Sequence, residues 1–448
     1  MDNEEQVTER VILISCPLTY SLIDEDGNLI SHGQGEGQIG KENLLIIDEL
    51  GDIINLSLHD LTSLSVKDYK IRLTLTSQDE VLLSNLGYQY EDFAEKLISA
   101  RNQLILKDLL MEEKLHKGEI AGEFIHTGVL GDNISSGECE LRLYDTGLVI
   151  MAKTGEITRI PYGLIEKAEA ENYRLSLTLD SGEKYILFRM GTEFQPFVES
   201  FEKLNSQISQ KTQNLLRQLL PEANSLLIRK ISILLKDGKC AKKSDLNAVS
   251  PGLWNKLEAQ LSVLGIEKEY EFLKALGQQE RICLGIKQGL WGDLTGQYIW
   301  FLIPIYSLDP SKPGNAIALE AAADEKSGKA TYFFRITGRQ NYRLCRNLED
   351  LHREADRLIQ KINYCMLMLN FRREPIYLPE ESLAKPNYSK YRFAITTLPY
   401  LQSLRQLFIG RVFHSSSEQW EKDVEQLLKF NVTAETDQER WSKNKKLD

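Results

Sequence analysis

The sequence predicts an α+β protein whose first half contains two copies of one β-rich module, each ending in a helix. Three observations lead to this prediction. Shifting the chain by 104 residues places residues 43–101 on residues 147–205 without a gap. Within both segments, apolar residues first alternate as in strands and then recur at helical spacing. Strand signals return after residue 280, and a helical pattern occupies residues 211–276.

The chain is too long for one ordinary domain, since it has 448 residues. Shifts in composition and pattern divide it into five segments. These are an acidic module at 1–114, its repeat at 115–210, a helical spacer at 211–276, a second β-rich region at 277–370, and a linker with helices and a polar tail at 371–448.

A repeated hairpin carries the clearest match between the two copies. Residues 69–77 read YKIRLTLTS and align with YRLSLTLDS at 173–181. Alternation around a short polar turn predicts a β-hairpin with one buried face. A helix closes each copy, and its apolar positions are Tyr90, Phe93 and Leu97 in the first copy and Phe194, Phe197 and Phe201 in the second.

Several short strands followed by one amphipathic helix form an order that resembles the pleckstrin-homology-like (PH-like) superfold, especially its bacterial and GRAM-like branches. The resemblance is carried by the segment IPYGLI at 160–165, the Leu-x-Leu hairpin and the terminal helix. It implies tandem antiparallel β-barrels, each closed by a C-terminal helix. PH-like domains commonly bind peptides beside that helix, so the resemblance places partner-binding surfaces at the two helices, around Tyr90, Phe93, Leu97, Phe194, Phe197 and Phe201.

The second β-rich region shows the same order of signals. Candidate strands lie at 282–290, 298–306, 316–321 and 331–337, and a helix follows an N-cap signal at Asn347. We therefore expect a third, more divergent PH-like domain at 277–370. The glycine-rich run at 33–37 precedes no helix start, and we interpret it as a flexible loop rather than a phosphate-binding site.

Charge is concentrated at the start of the chain. Residues 1–114 hold 22 acidic and 9 basic side chains, a net charge of −13 against −11 for the whole chain. The first hairpin of copy one, at 22–27, is acidic, and the corresponding residues 131–137 of copy two carry no cation. Phosphate groups need cations, so phosphoinositide binding is disfavoured.

No motif for catalysis, cofactor binding or metal binding is present in the sequence. The six cysteines lie at least twenty residues apart, which argues against a zinc site or a secreted disulfide framework. A pocket that united His126, Asp145 and Cys139 would favour an enzyme. Cys240 lies among lysines that could activate a thiol, although an unreactive cysteine in a helix connection is the simpler interpretation.

These observations favour a non-enzymatic scaffold or adaptor that binds protein partners. One alternative is a chaperone for a basic protein, which the acidic first module would suit. Another is a nucleic-acid regulator that uses the helical insert through Lys239, Lys242 and Lys243. The acidic N-terminus has no signal peptide, and no apolar run is long enough to span a bilayer. We therefore expect a cytoplasmic protein.

Overall fold

The structure is a computed structural model that describes residues 11–110, 113–263, 265–288, 297–309, 311–323, 330–383, 385–414 and 416–434. The chain forms two compact units. The first unit contains residues 1–160, 167–198 and 378–399, and the second contains residues 161–166, 199–377 and 400–448. The predicted α+β class, with a helical insert and a helical C-terminal region, is confirmed.

The first copy is a curled antiparallel sheet followed by one helix. Its elements are β1 (Ile14–Ile23), β2 (Leu29–Ile39), β3 (Asn43–Asp48), β4 (Ile53–Ser57), β5 (Leu61–Lys67), β6 (Lys70–Leu75), β7 (Glu80–Ser84) and α1 (Tyr90–Leu110). The strands lie in the order β4-β3-β2-β1-β7-β6-β5, so β4 and β5 are the edges. A 3₁₀ turn at Leu58–Asp60, the first corner, joins these two edge strands.

The second copy has the same architecture. Its elements are β8 (Leu115–Thr127), β9 (Asn133–Tyr144), β10 (Gly147–Ala152), β11 (Ile157–Pro161), β12 (Ile165–Glu171), β13 (Arg174–Leu179), β14 (Lys184–Phe188) and α2 (Phe194–Leu219). The strand order is β11-β10-β9-β8-β14-β13-β12, which matches the first copy strand for strand. The second corner is a 3₁₀ turn at Tyr162–Leu164.

Left-handed backbone positions repeat with the period found in the sequence. Residues with positive φ occur in pairs that are 104 apart: Gly27 and Gly131, Gly51 and Gly155, Asp68 and Asn172, Tyr69 and Tyr173, Gln78 and Gly182, Asn85 and Arg189, Gly87 and Gly191. Such backbone is sterically costly for most residues, so the shared positions mark shared turns. The first pair lies before residue 43, and the repeat therefore includes the first hairpin as well.

Glycines let β2 pack closely against its neighbours. The run at 33–37 is part of this strand, and the expectation of a flexible loop is wrong. A Cβ atom at Gly35 would lie 2.4 Å from the carbonyl oxygen of Ile47, and one at Gly37 would lie 2.3 Å from Leu18 Cδ2. Gly35 requires glycine because the backbone of the neighbouring strand occupies the space of a side chain, whereas at Gly37 the side chains of Leu18 and Phe93 in the core would have to shift.

Helix α1 is buried on two sides. Phe93 and Leu97 have no exposed surface, and the helix contacts β1 and β2 of its own sheet. Farther along the same helix, Leu106 packs with Tyr144, Val149 and Met151 of the second copy. The helix that closes the first sheet therefore also packs on the second copy.

The remaining elements follow in chain order. They are α3 (Ser225–Leu234), β15 (Ala241–Lys242), α4 (Lys243–Val249), α5 (Leu253–Val263), α6 (Glu267–Leu276), β16 (Cys283–Gln288), β17 (Gln297–Ile305), β18 (Ala316–Ala323), β19 (Ala330–Arg335), α7 (Arg339–Leu344), α8 (Leu348–Met368), α9 (Glu374–Tyr377), α10 (Glu380–Leu383), α11 (Arg392–Thr397), α12 (Pro399–Leu407), β20 (Phe408–Phe413) and α13 (Ser417–Thr433). The predicted N-cap is present, since the Asn347 side chain accepts a hydrogen bond from the Glu349 amide at the start of α8.

The third sheet does not repeat the first two. Its strands follow chain order from β15 to β20, and both of its edge strands come from outside residues 277–370. The expected third PH-like copy does not agree with this order. Helices of the segment expected to be a spacer share one core with this sheet and with α13, through side chains that include Trp254, Leu257, Phe301 and Trp420.

Candidate functional site

The helix residues expected to contact a partner face inward instead. Phe93, Leu97, Phe197 and Phe201 are at most 1% exposed, and Phe194 is 7% exposed. Tyr90 is half-buried and its hydroxyl donates to the Lys70 carbonyl over 3.3 Å. These apolar side chains fix each helix in place. Partner binding at the two helices stays a prediction, which the inward position of these side chains does not test.

A groove in the first unit is formed by α1, the first corner and the edge strand β5. A later part of the chain, residues 378–399, belongs to the same unit, and we call it the docked segment. Its helix α11 contacts α1, the corner and β5, and its 3₁₀ turn at Pro386–Tyr391 also contacts α1. The groove therefore holds a polypeptide contributed by the chain itself.

Two neighbouring side chains anchor the docked segment. Phe393 has no exposed surface, and its ring centroid lies 5.4 Å from that of His59 and 5.9 Å from the guanidinium carbon of Arg101. Arg392 Nη1 donates to Asp60 Oδ1 at the corner. An aromatic ring is thus buried under a cation, while the adjacent arginine pairs with an acid at the rim.

Buried polar contacts hold the walls of the groove. The His59 ring lies against Asp108 of α1, with Nε2 2.9 Å from Oδ2. Arg101 is only 5% exposed, and its Nη2 donates over 3.4 Å to the carbonyls of Leu61 and Thr62 in β5. Loss of hydration on burial lowers the pKa of Arg101 from its usual value. These contacts tie helix, corner and edge strand together before any ligand is considered.

Arg101 also joins the two copies. Its Nη1 donates over 3.1 Å to the carbonyl of Gly155, in the turn between β10 and β11. The guanidinium therefore contacts three parts of the protein, which are the edge strand of copy one, a turn of copy two and the ring of Phe393. Arginine suits this position because its planar fork presents several donors in fixed directions.

The docked segment has a small apolar core of its own. Leu383 and Tyr391 are buried, and Leu378, Tyr388 and Ile395 pack against them. The docked segment contains α10, a 3₁₀ turn and α11, so the linker expected at the start of 371–448 is not an unstructured connection over this stretch. Its chemistry is basic and aromatic, since Lys385, Lys390 and Arg392 lie within eight residues without an acid between them.

The second corner lies in the second unit and has different chemistry. The repeat places Gly163 at the position of His59 and Leu164 at that of Asp60. A Cβ atom at Gly163 would lie 3.0 Å from the Cβ of Asp237 and 3.2 Å from Leu367 Cδ2. This corner is closely packed by later parts of the chain but lacks the acid and the imidazole. The charged anchors are thus a feature of the first copy.

The structure does not bring the residues of the enzyme alternative together. His126 stacks on Tyr185 with ring centroids 4.1 Å apart, and Asp145 pairs with His116, 2.6 Å from Nε2. Cys139 pairs in register with Gly122, whereas His126 pairs with Ser135. Burial, followed by the charge of Glu123, raises the pKa of Cys139 to about 12, which disfavours a thiolate.

The lysines of the nucleic-acid alternative are engaged within the second unit. Lys242 Nζ lies 2.9 Å from Asp356 Oδ2, and Lys243 Nζ lies 2.7 Å from Glu280 Oε1. Cys240 is buried, and the Asn363 side chain bonds both its amide and its carbonyl. The cations are thus partly neutralised, and the thiol lies inside the protein.

The described residues contain neither a cluster of metal ligands nor a helix able to span a membrane. Within them, no group of three or more histidine, cysteine, aspartate or glutamate side chains is arranged to hold a metal ion. Among the helices that the structure describes, none combines the length and apolar character needed to cross a membrane.

Comparison with known proteins gives no relative from which a role could be transferred. No protein-family model and no curated protein matches the chain. Among solved structures, the C-terminal domain of a protein from Leishmania infantum is 17% identical, covers 20% of this chain and 84% of its own, and has a TM-score of 0.17. The Spt16D Pob3N heterodimer is 13% identical, covers 38% of this chain and 85% of its own, and has a TM-score of 0.15. Scores this low carry no argument.

Proposed function

We propose that the protein is a non-enzymatic scaffold or adaptor that binds protein partners through its two repeated, PH-like domains. The observation that carries the proposal is the groove of the first copy, in which residues 386–397 contact α1, the first corner and β5. Because this groove between a closing helix and an edge strand already binds a polypeptide of the chain itself, we infer that it is the surface suited to a partner. The strand order, repeated at a spacing of 104 residues, supports the PH-like interpretation.

The two anchors, Phe393 and Arg392, contribute differently to binding in the groove. Full burial of a phenylalanine side chain such as Phe393 stabilises a contact by roughly 1.5–3 kcal/mol. The pair of Arg392 with Asp60 is partly exposed, with side chains that are 25% and 35% accessible. A pair of this kind adds about 1 kcal/mol or less, so its main effect is to select a basic residue beside the aromatic one.

A second candidate function is a chaperone for a basic protein. The net charge of −13 over residues 1–114 favours it, because a field of one sign attracts a partner of the other. The pair of Asp60 with Arg392 shows within this chain how an acid of the first module binds a basic residue. Strong weakening by salt would favour the chaperone, whereas an aromatic anchor would tolerate salt better.

The test begins with affinity purification of the full chain from its native cell. Each co-purifying protein is then prepared in pure form and mixed with the chain, and the mass of the complex is measured by light scattering. We expect at least one stoichiometric complex, with chemical crosslinks to residues 11–110. An unrelated protein of similar net charge is the control bait. The absence of any reconstituted complex would contradict the proposal.

A further inference from the structure

We propose that the docked segment is a reversible occupant of the first-copy groove, and that the partner which replaces it is a protein segment with a basic residue directly followed by an aromatic one. This inference rests on the proposed function and specifies the chemistry of the partner. Residues 392–393 define the required pattern, because one pairs with Asp60 and the other fills the space against His59 and Arg101.

Several features suit the segment to leave and return. It contributes short helices and its own small core, so most of its apolar side chains can stay together when it moves. In sequence it lies between stretches that belong to the second unit. Short helical elements at a surface separate from a fold at lower free energy than its central strands do.

The walls of the groove do not depend on the segment. Arg101 is held by the carbonyls of Leu61 and Thr62 and by that of Gly155, and His59 is held by Asp108. These contacts join parts of the two copies and would persist in an empty groove. A preformed site loses little conformational freedom on binding, which favours exchange of one occupant for another.

Charge determines which segments can compete. The first copy carries more acidic than basic side chains, and Asp60 is the acid that pairs with the occupant at the rim of the groove. The stretch 385–393 carries three cations and no acid. An acidic or purely apolar segment would leave Asp60 unpaired, so a basic and aromatic segment is the occupant that fits.

The experiment uses a fluorescent peptide with the sequence of residues 385–398 and the full chain, and it measures fluorescence anisotropy. The chain is compared as wild type and as the variant R392A/F393A, in which the docked segment has lost both anchors. We expect the peptide to bind the variant at least about tenfold more tightly, because an occupied site lowers apparent affinity by the fraction of molecules that are open. Addition of Asp60→Ala to the variant should remove only part of the gain, about fivefold at most, because the pair with Asp60 is partly exposed.

Two controls make the result specific. A peptide in which both anchor residues are alanine should bind neither protein, and the chain variant Glu381→Gln, an exposed change in the same segment, should behave as wild type. Equal binding of the peptide to wild type and R392A/F393A would overturn the inference. Equal binding of the anchor peptide and its alanine version would also overturn it.

A second measurement protects the test if R392A/F393A does not fold. Wild-type chain is mixed with excess isotope-labelled peptide, and hydrogen exchange is followed by mass spectrometry. Displacement predicts faster exchange of the chain's own residues 392–397, and unchanged exchange there would overturn the inference. A cellular partner that binds elsewhere would leave the scaffold proposal standing while this inference fails. If the peptide displaces the docked segment but no cellular partner is found, this inference stands and the scaffold proposal fails.

Discussion

A buried carboxylate in the second unit, Glu320, lies where several elements of the fold meet. Glu320 has no exposed surface, and its Oε2 lies 2.5 Å from Thr331 Oγ1 and 3.1 Å from His414 Nε2. Trp420 Nε1 also donates to Thr331 Oγ1 over 3.2 Å. These contacts join β18, β19 and the chain that follows β20 with α13. The contacts to Oε2 offset part of the cost of burying the carboxylate, whereas Oε1 is buried without a hydrogen-bond partner among the described residues.

Removal of the histidine should therefore be costly. His414→Ala leaves Glu320 without its basic partner in the interior, and we expect a loss of about 3–5 kcal/mol in the free energy of unfolding. Chemical denaturation measures this, with His32→Ala as the control because that histidine is exposed. Addition of Glu320→Gln to His414→Ala should recover part of the loss. A cost of less than about 1 kcal/mol for His414→Ala would contradict this account of the cluster.

A second histidine makes stability depend on pH. His126 in the first unit stacks on Tyr185 and lies 3.7 Å from Glu183, and Asp132 also acts on it. Burial lowers its pKa below the usual 6.5, more strongly than the two acids raise it. The unfolded chain therefore binds this proton more readily than the folded chain does, and protonation favours unfolding.

The predicted result is a loss of stability as the pH falls through the unfolded value of 6.5. The free energy of unfolding of wild type, taken relative to that of His126→Gln, should decrease between about pH 7.5 and about pH 5.5. Urea denaturation across this range measures the difference, and other titrating groups cancel because both proteins contain them. A difference that is constant or that grows on acidification would show that the pKa is not lowered.

At the scale of elements, α1 determines how the two copies are joined. It closes its own sheet through Phe93 and Leu97 and contacts copy two through Leu106 and Arg101. The sequence indicates this arrangement, because Ile105 and Leu106 widen the apolar surface of α1 beyond the single stripe that contains Phe93 and Leu97. A helix that is apolar on more than one side is buried on more than one side.

Truncation of Arg101 should test this junction. Arg101→Ala removes hydrogen bonds to three buried or half-buried carbonyls and leaves a cavity, so we expect a loss of about 2–4 kcal/mol in the free energy of unfolding. Arg101→Lys should recover only part, since an ammonium cannot reproduce the planar fork. Lys96→Ala, an exposed change on the same helix, serves as the control. Equal stability of the Arg101→Lys variant and wild type would refute the role assigned to the fork.

The elements that sequence predicted well are those defined by local pattern. Alternation and turn residues identified the hairpins of both copies, and the shift of 104 residues holds for strands, turns and helices alike. The cap at Asn347 was also correct. The prediction of a loop at 33–37 was wrong because a glycine in a strand cannot be distinguished from one in a loop until the neighbouring strand is known.

The candidate site was largely missed, and the reason is physical. Apolar spacing selects only the apolar members of a helix face, so it selected Phe93 and Leu97. It passed over Arg101 and Asp108, which are also buried and follow Leu97 at i+4 and i+11, on nearly the same face of the helix. Recognition of Phe393 by His59 joins residues more than 300 positions apart, and no local window contains that pairing. One signal was available, since three aromatic residues at 388–393 are unusual for a solvated linker.

At the scale of the whole molecule, the two repeated domains differ in the residues that form their corners. The first corner carries His59 and Asp60, whereas the second carries Gly163 and Leu164 and packs against Asp237 and Leu367. A duplicated fold can keep its framework while its edge residues change, because the framework depends on inward positions. We therefore propose that partner recognition lies in the first copy and that the second corner has a structural role.

Hydrogen exchange of the full chain, with and without a purified partner, tests the central claim most directly. The account predicts that a bound partner increases amide exchange in the docked segment at 392–397 and leaves residues 58–67 and 98–108 protected. That combination requires one polypeptide to replace another in the same groove. Protection confined to other parts of the chain, with unchanged exchange at 392–397, would contradict the claim that this groove is the binding site.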